Sequence, residues 1–147
     1  MKTNRRVFVT HGKNRGFIES LKQLLLFGEF DPVVSVEKET VSLPVPDKVM
    51  EDMRSCSAAI IHVDAEMDLL DKEGNRHQLL NPNVLIEIGA AMALYGQRII
   101  MLLRKGITIP SNLQGLYHVE YEGDALDGET TIRLLKAIND IKNRRLP

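Results

Sequence analysis

The sequence has little cysteine and no long apolar run. Cys56 is the only cysteine among the 147 residues, so an intrachain disulfide is excluded and a reducing compartment is expected. No stretch is apolar for long enough to span a bilayer, and the first residues do not have the pattern of a signal peptide. These absences predict a cytoplasmic protein without a membrane partner, in which Cys56 is a small buried side chain.

Charge of one sign is not in excess either. The formal net charge is −1, and the two basic clusters, Arg5–Arg6 and Arg144–Arg145, lie near the ends of the sequence. A nucleic-acid-binding domain carries a strong basic excess, so nucleic acid is not expected as a partner. The four histidines and the cysteine show no metal-ligand spacing. No metal site is therefore expected, and His62 is expected to pack in the core.

The glycine-rich phosphate loops of common nucleotide-binding folds are also missing. The sequence has no GxxxxGK[ST] motif, and no GxGxxG follows the first predicted strand. A response-regulator receiver would have acidic residues where His11 and Gly12 stand, and a flavodoxin would have a Ser/Thr-rich loop at His11–Arg15. These absences disfavour a P-loop NTPase, a dinucleotide-binding Rossmann domain, a receiver and an FMN protein.

Short apolar runs alternate with amphipathic stretches along the chain. Five strands are predicted, at residues 7–10, 33–36, 58–63, 99–103 and 117–121. Four helices are predicted, at residues 17–27, 46–54, 82–95 and 130–143, the last with Ile132, Leu135, Ile138 and Ile141 on its apolar face. Continuous apolar strands between helices indicate a parallel sheet covered on both faces. We expect one α/β domain over residues 1–147, three-layered and doubly wound, with a five-stranded sheet in the flavodoxin-like order 2-1-3-4-5.

In this strand order the chain reverses direction between the first and third strands, and ligands bind there, at the carboxyl ends of the strands. Thr10–Asn14 follow the first strand, Asp64 follows the third, and the helix that Asn81 caps begins at the same edge. Residues 64–80 are expected to be a long polar connection with a turn at Gly74–Asn75. Such a segment is either a mobile cover on the site or a solvated acidic insertion.

One residue does not fit its surroundings. The stretch VLIEIGAAMALY, residues 84–95, is apolar almost all round and is expected to be mostly buried, yet it contains Glu87. Burying an unpaired carboxylate costs several kcal/mol, so Glu87 has a buried ionic partner or opens onto the crevice. Asn83 and the alanines at 90 and 91 share its side of the helix and would leave room for a ligand. Gly89 is expected to allow close packing against the sheet.

Four segments, in this order, resemble the nucleotide-binding TIR-like family of bacterial antiphage effectors, some of which are fused to cyclic-dinucleotide sensors. They are RVFVTHGKN (6–14), VMEDMRSCSAAIIHV (49–63), NVLIEIGAAMALYG (83–96) and IPSNLQGL (109–116). The Asn-Val-x-x-Glu-x-Gly block is the most specific of them, and the His-Gly turn is moderately specific. In the family, the glutamate of this block is the catalytic residue of an NAD glycohydrolase, and it corresponds to Glu87.

The resemblance implies an NAD nucleosidase that cleaves the nicotinamide–ribose bond, with NAD as the substrate and no cofactor. Because the leaving group is already cationic, no general acid is needed, and a buried anion can stabilise the oxocarbenium-like transition state. The candidates for substrate binding are the residues at the crevice, Thr10, His11, Gly12, Lys13, Asn14, Asp64 and Asn83. Lys13 or Arg15 could contact a pyrophosphate, or could belong to a solvated loop.

TIR-like relatives complete their active site with a loop from a neighbouring protomer, which implies a homo-oligomer that self-association activates. The candidate loop is Glu37–Pro46, whose apolar residues, Leu43 among them, otherwise pack as local core. A sensor or partner domain is expected on another chain or in a longer form of this one. Two other functions stay open, a nucleoside deoxyribosyltransferase-like enzyme and a non-catalytic nucleotide-binding or oligomerisation module. The product, ADP-ribose or a cyclic isomer, is also open.

Overall fold

The computed structural model describes residues 4–10, 15–34, 47–80 and 82–144. Their strands are β1 (Arg6–Val9), β2 (Asp31–Val34), β3 (Ala58–Val63), β4 (Ala65–Leu70), β5 (Arg76–Leu80), β6 (Ile99–Arg104) and β7 (Tyr117–Tyr121). Their helices are α1 (Arg15–Phe27), α2 (Asp47–Arg54), α3 (Pro82–Tyr95) and α4 (Gly128–Lys142), with a short 3₁₀ turn at Ser111–Leu113. No helix in these ranges is both long and apolar enough to cross a membrane.

The main sheet has five strands in the order β2-β1-β3-β6-β7, and every neighbouring pair is parallel. This order confirms the predicted flavodoxin-like topology and the α/β class. The central strand β3 is buried at every position, as expected for a strand that helices cover on both faces. The edge strand β2 begins two residues earlier than predicted and contains Pro32, which an edge strand tolerates.

Alternate residues of the inner strands β1, β3 and β6 point into two separate cores. Ala59, Ile61 and Val63 of β3 belong to the core that α2 and α3 cover. Ala58 and Ile60 belong to the core that α1 and α4 cover. The period-two alternation of a strand therefore gives the three-layer arrangement that the sequence predicts.

Helix α3 is less buried than its apolar sequence predicts. Leu85, Ile86 and Met92 are 39%, 49% and 38% exposed, because the helix contacts the sheet along one side only. Between them lies Gly89, where an added Cβ would meet nothing within 4 Å. The expectation that Gly89 packs closely against the sheet is therefore wrong. We call the surface formed by Leu85, Ile86, Gly89, Met92 and Ala93 the α3 strip.

Residues 65–80 form an antiparallel hairpin, β4–β5, where only a polar connection was predicted. The sequence Ala65-Glu66-Met67-Asp68-Leu69 alternates apolar and charged residues, which is the pattern of a strand. The prediction considered only the number of charged residues in this segment and missed the alternation. The predicted turn is correct. Gly74 has a φ of 82°, and the Asp71 carboxylate accepts the backbone N–H groups of Glu73 (2.9 Å) and Asn75 (2.8 Å).

Helix α4 also corrects one expectation. Ile132 is 56% exposed, whereas Leu134, Ile138 and Ile141 are buried. The predicted apolar face repeats every three residues, and each such step falls about 60° short of a full turn. A face drawn that way moves gradually around the helix. The helix begins at Gly128, where the carboxylate of Asp127 caps it by accepting the Thr130 N–H at 2.7 Å.

Candidate functional site

The carboxyl ends of β1 and β3 meet at the centre of the sheet, and Thr10 joins them there. Its backbone N–H donates to the Ile60 carbonyl at 3.2 Å, and its hydroxyl accepts the His62 N–H at 2.8 Å. Thr10 is only 3% exposed. The structure thus shows Thr10 as a link between two strands at the base of the predicted crevice, while its contact with substrate stays a prediction.

The structure places the side chains of some predicted site residues only. Thr10, Asp64 and Glu87 are described, and Asn83 is described only as part of the backbone of α3. His11, Gly12, Lys13 and Asn14 lie outside the described residues, as does the predicted interprotomer loop, Glu37–Pro46. Thr10 directly follows β1 and Asp64 directly follows β3, so the topology brings these two to the same edge of the sheet.

Glu87 lies in the second turn of α3, on the side of the helix that faces the sheet. It is 5% exposed and is flanked in the helix by the buried Ile88 and, one turn later, by Ala91. Glu87 has an interaction partner within the protein. Tyr95 anchors the other end of the helix, because its hydroxyl donates to the Met53 carbonyl of α2. The predicted burial of Glu87 in an apolar helix is therefore observed.

Asp64 is held by a residue that the sequence did not single out. The Arg104 guanidinium binds its carboxylate through Nε (2.7 Å) and one terminal nitrogen (3.3 Å). The other terminal nitrogen donates to the Gly123 carbonyl at 3.1 Å, and the guanidinium lies 4.9 Å from the ring centroid of Tyr121. Hydrogen bonding to Asp64 raises the pKa of Arg104. The sequence did contain a signal for Arg104. It is a charged residue at the end of an apolar strand, as Asp64 is at the end of β3.

Beneath this ion pair lies an aromatic cluster. The His62 ring nitrogen Nε2 and the Tyr121 hydroxyl are 2.5 Å apart, and the Phe17 ring lies 5.0 Å from His62 and 4.7 Å from Tyr121. Burial lowers the pKa of His62 and raises that of Tyr121 to about 12. His62 is 6% exposed, which confirms it as a core residue.

Among the described residues, the charged groups of the candidate site are the carboxylates of Asp64 and Glu87 and the guanidinium of Arg104. No group of three histidine, cysteine or acidic side chains in that part of the chain could hold a metal ion. A carboxylate buried on a helix that starts at the ligand-binding edge can stabilise positive charge, because a low-dielectric setting strengthens its field. These features define a flavodoxin-like α/β domain with a carboxylate, that of Asp64, at the carboxyl edge of its sheet.

Comparison with known families identifies the chain more closely. It belongs to the family described as "CAP12/Pycsar effector protein, TIR domain", which matches residues 6–123. The matched range includes β1 to β7, and therefore every strand of the main sheet together with Glu87, Asp64 and Arg104. A comparison with curated proteins gives no match.

Two solved structures share the fold at low sequence identity. The Clostridium botulinum CMP N-glycosidase BcmB aligns with a TM-score of 0.52 and 19% identity, over 91% of this chain and 97% of that one. A flavodoxin-like domain from a Synechococcus species aligns with a TM-score of 0.50 and 12% identity, over 94% of this chain and 96% of that one. At these identities the likeness shows a common fold.

Proposed function

We propose that this domain hydrolyses NAD at the nicotinamide–ribose bond, as a TIR-like effector of a bacterial antiphage or signalling system. The burial of Glu87 in α3 is the observation that carries the proposal. This glutamate stands in the most specific block shared with the TIR-like family, and it is 5% exposed. It lies in the second turn of α3, and this helix begins at the edge where doubly wound folds bind ligands.

Cleavage of the nicotinamide–ribose bond requires little more than an anion held close to the ribose. In NAD the ring nitrogen of nicotinamide is positively charged. When its bond to the ribose breaks, the nitrogen keeps the electron pair, and nicotinamide leaves as a neutral base. Positive charge therefore moves onto the ribose in the transition state, where a carboxylate stabilises it or holds the ribose hydroxyls. Water then completes the hydrolysis at the anomeric carbon. Glu87 is assigned this role, and no second carboxylate is needed as a general acid.

Asp64 is proposed to bind a hydroxyl of the substrate from the opposite side of the crevice. Its side chain is 39% exposed, so a ligand can reach it, while Arg104 fixes its orientation with two hydrogen bonds. A carboxylate that is held in place loses less conformational entropy on binding. The loop Thr10–Asn14 is proposed to supply the remaining contacts, as the sequence predicts.

Self-association is proposed as the activating step. The α3 strip supports it, since three of its side chains are large, apolar and more than a third exposed on a helix that also carries Glu87. Clustered apolar exposure of this kind marks protein contact surfaces. Contact between two copies along the strip would act directly on the helix that holds the catalytic carboxylate. NAD, a second copy of the chain and a sensor on another chain are the proposed partners.

Release of free base from different substrates tests the proposal against its alternatives. The protein at high concentration would be incubated separately with NAD, with CMP, and with a deoxynucleoside plus a free base. Release of nicotinamide from NAD alone is expected. Base exchange would favour a deoxyribosyltransferase-like enzyme, release of cytosine would favour a nucleotide N-glycosidase, and no reaction would favour a non-catalytic module. Any of these outcomes without release of nicotinamide from NAD contradicts NAD cleavage as the function.

A further inference from the structure

A cleft lies at the amino ends of the strands of the main sheet. Its volume is about 370 Å³, and it is lined by Asn4, Arg5, Glu29, Phe30, Ser57, Arg98, Lys142 and Arg144. These residues precede β1, β2, β3 and β6 or lie at the end of α4. The volume is within the range of about 300–1,000 Å³ that is typical of small-molecule sites.

Arg98 is the most unusual residue of this cleft. It is only 6% exposed, and burial lowers its pKa. Its guanidinium donates to the carbonyls of Ser57 (2.9 Å), Ile141 (2.5 Å) and Arg144 (2.5 Å). Within the described ranges it has no carboxylate partner. Two of these carbonyls lie at the end of α4, where the helix dipole supplies about half a negative charge.

The partial negative charge at the end of α4 does not neutralise the positive charge of the residues that line the cleft. Arg5, Lys142 and Arg144 line it as well, against the single carboxylate of Glu29. Across the described part of the chain, neither Arg5 nor Lys142 forms an ion pair. Like charges that converge on one concave surface raise the local concentration of anions. The positive charge is therefore available to a ligand.

We propose that this amino-edge cleft binds a small phosphorylated anion, with Arg5 and Lys142 as its principal contacts and Arg98 as a buried cation behind them. Guanidinium groups bind phosphate through paired hydrogen bonds. The buried Ser57 hydroxyl donates to the Asn4 carbonyl at 2.8 Å and so belongs to the wall of the cleft. The cleft lies at the amino edge of the sheet, and Glu87 does not line it. Binding at the cleft can therefore be measured without NAD cleavage.

Titration followed by amide chemical shifts tests the proposed site. Inorganic phosphate, AMP and adenosine would be added in turn to the isotope-labelled protein, at constant ionic strength. Phosphate and AMP are expected to give saturable shifts at Phe30, Ser57 and Arg98, and adenosine none. Non-saturating shifts, shifts at other residues only, or equal binding of AMP and adenosine would overturn the proposal.

Charge-removing variants identify the contacts. Arg5→Gln and Lys142→Gln are each expected to weaken phosphate binding about tenfold, the typical effect of losing one charge-assisted hydrogen bond. Both side chains are exposed, so the fold should be retained. Lys136→Gln, at an exposed position of α4 outside the cleft, is the matched control and should bind phosphate normally. Equal affinity in all three variants would overturn the assignment.

Discussion

Arg104 donates hydrogen bonds to both carboxylate oxygens of Asp64, at 2.7 and 3.3 Å, and so links the carboxyl ends of β6 and β3. The pair joins two neighbouring strands at the point where the chain leaves the sheet for the β4–β5 hairpin. Asp64 is therefore both a predicted substrate contact and one half of a bridge. The two roles can be separated by experiment, since the bridge contributes to stability without NAD and the substrate contact does not.

A double-mutant cycle measures the bridge. Arg104→Gln and Asp64→Asn, alone and combined, are expected to give a coupling free energy of about 0.5–1 kcal/mol in urea unfolding, because both side chains are partly solvated. Arg104→Gln should also raise KM for NAD more than it lowers kcat, since it releases a binding group. A coupling near zero together with an unchanged KM would contradict the positioning role.

His62 should make stability depend on pH. Its pKa in the folded protein is lowered from 6.5 by burial, so below this pH the unfolded chain takes up a proton more readily than the native one. The free energy of unfolding should therefore fall as the pH drops below about 6.5. Urea unfolding of His62→Gln should show a shallower dependence. The exposed His118→Gln is the control, and equal slopes for all three proteins would exclude His62 as the cause.

The sequence predicts the sheet well because buried parallel strands are short, continuous apolar runs. Ala58–Val63 and Tyr117–Tyr121 are found at the predicted bounds. The errors in predicted burial have a common physical origin. The sequence shows the periodicity of a helix, but it does not show which neighbouring layer each helix face packs against. The α3 strip is apolar and exposed, and Ile132 was placed on the wrong face, because both depend on where the neighbouring layer ends.

The burial of Glu87 was predicted, because a carboxylate in an apolar helix stands out in any sequence. Its role in the site stays a prediction. Arg104 was missed because the predicted strand stopped one residue earlier, at Leu103. Its partnership with Asp64 joins residues 40 positions apart, and such tertiary pairs leave no periodic signal.

The β4–β5 hairpin is predicted to cover the bound substrate. Because it connects Asp64 with the start of α3, it lies beside the crevice, and NAD should slow hydrogen exchange in residues 65–80. The measurement is best made on Glu87→Gln, which should hold NAD without cleaving it. Exchange in α4, on the other side of the sheet, is the internal reference. Protection of the hairpin that does not change with NAD would count against the cover.

The α3 strip gives a specific test of self-association. Turnover of NAD per molecule should rise with protein concentration in the wild type, and Ile86→Lys should abolish that rise by placing a charge in the contact. Ile132→Lys is a matched control, since both isoleucines are about half exposed, at 49% and 56%, but lie on opposite layers. Turnover that is independent of wild-type concentration would rule out this mode of activation. So would equal effects of the two lysines.

The central claim is that the buried charge of Glu87 drives cleavage of the nicotinamide–ribose bond. The most direct measurement is the nicotinamide release rate of Glu87→Gln beside its unfolding free energy, with the exposed Glu51→Gln of α2 as control. Glutamine keeps the shape and removes the charge, so the account predicts a rate lower by about a hundredfold or more, with the fold retained and Glu51→Gln fully active. Wild-type activity in Glu87→Gln would contradict the account, and a sharp loss of stability with activity retained would make Glu87 a structural ion-pair residue.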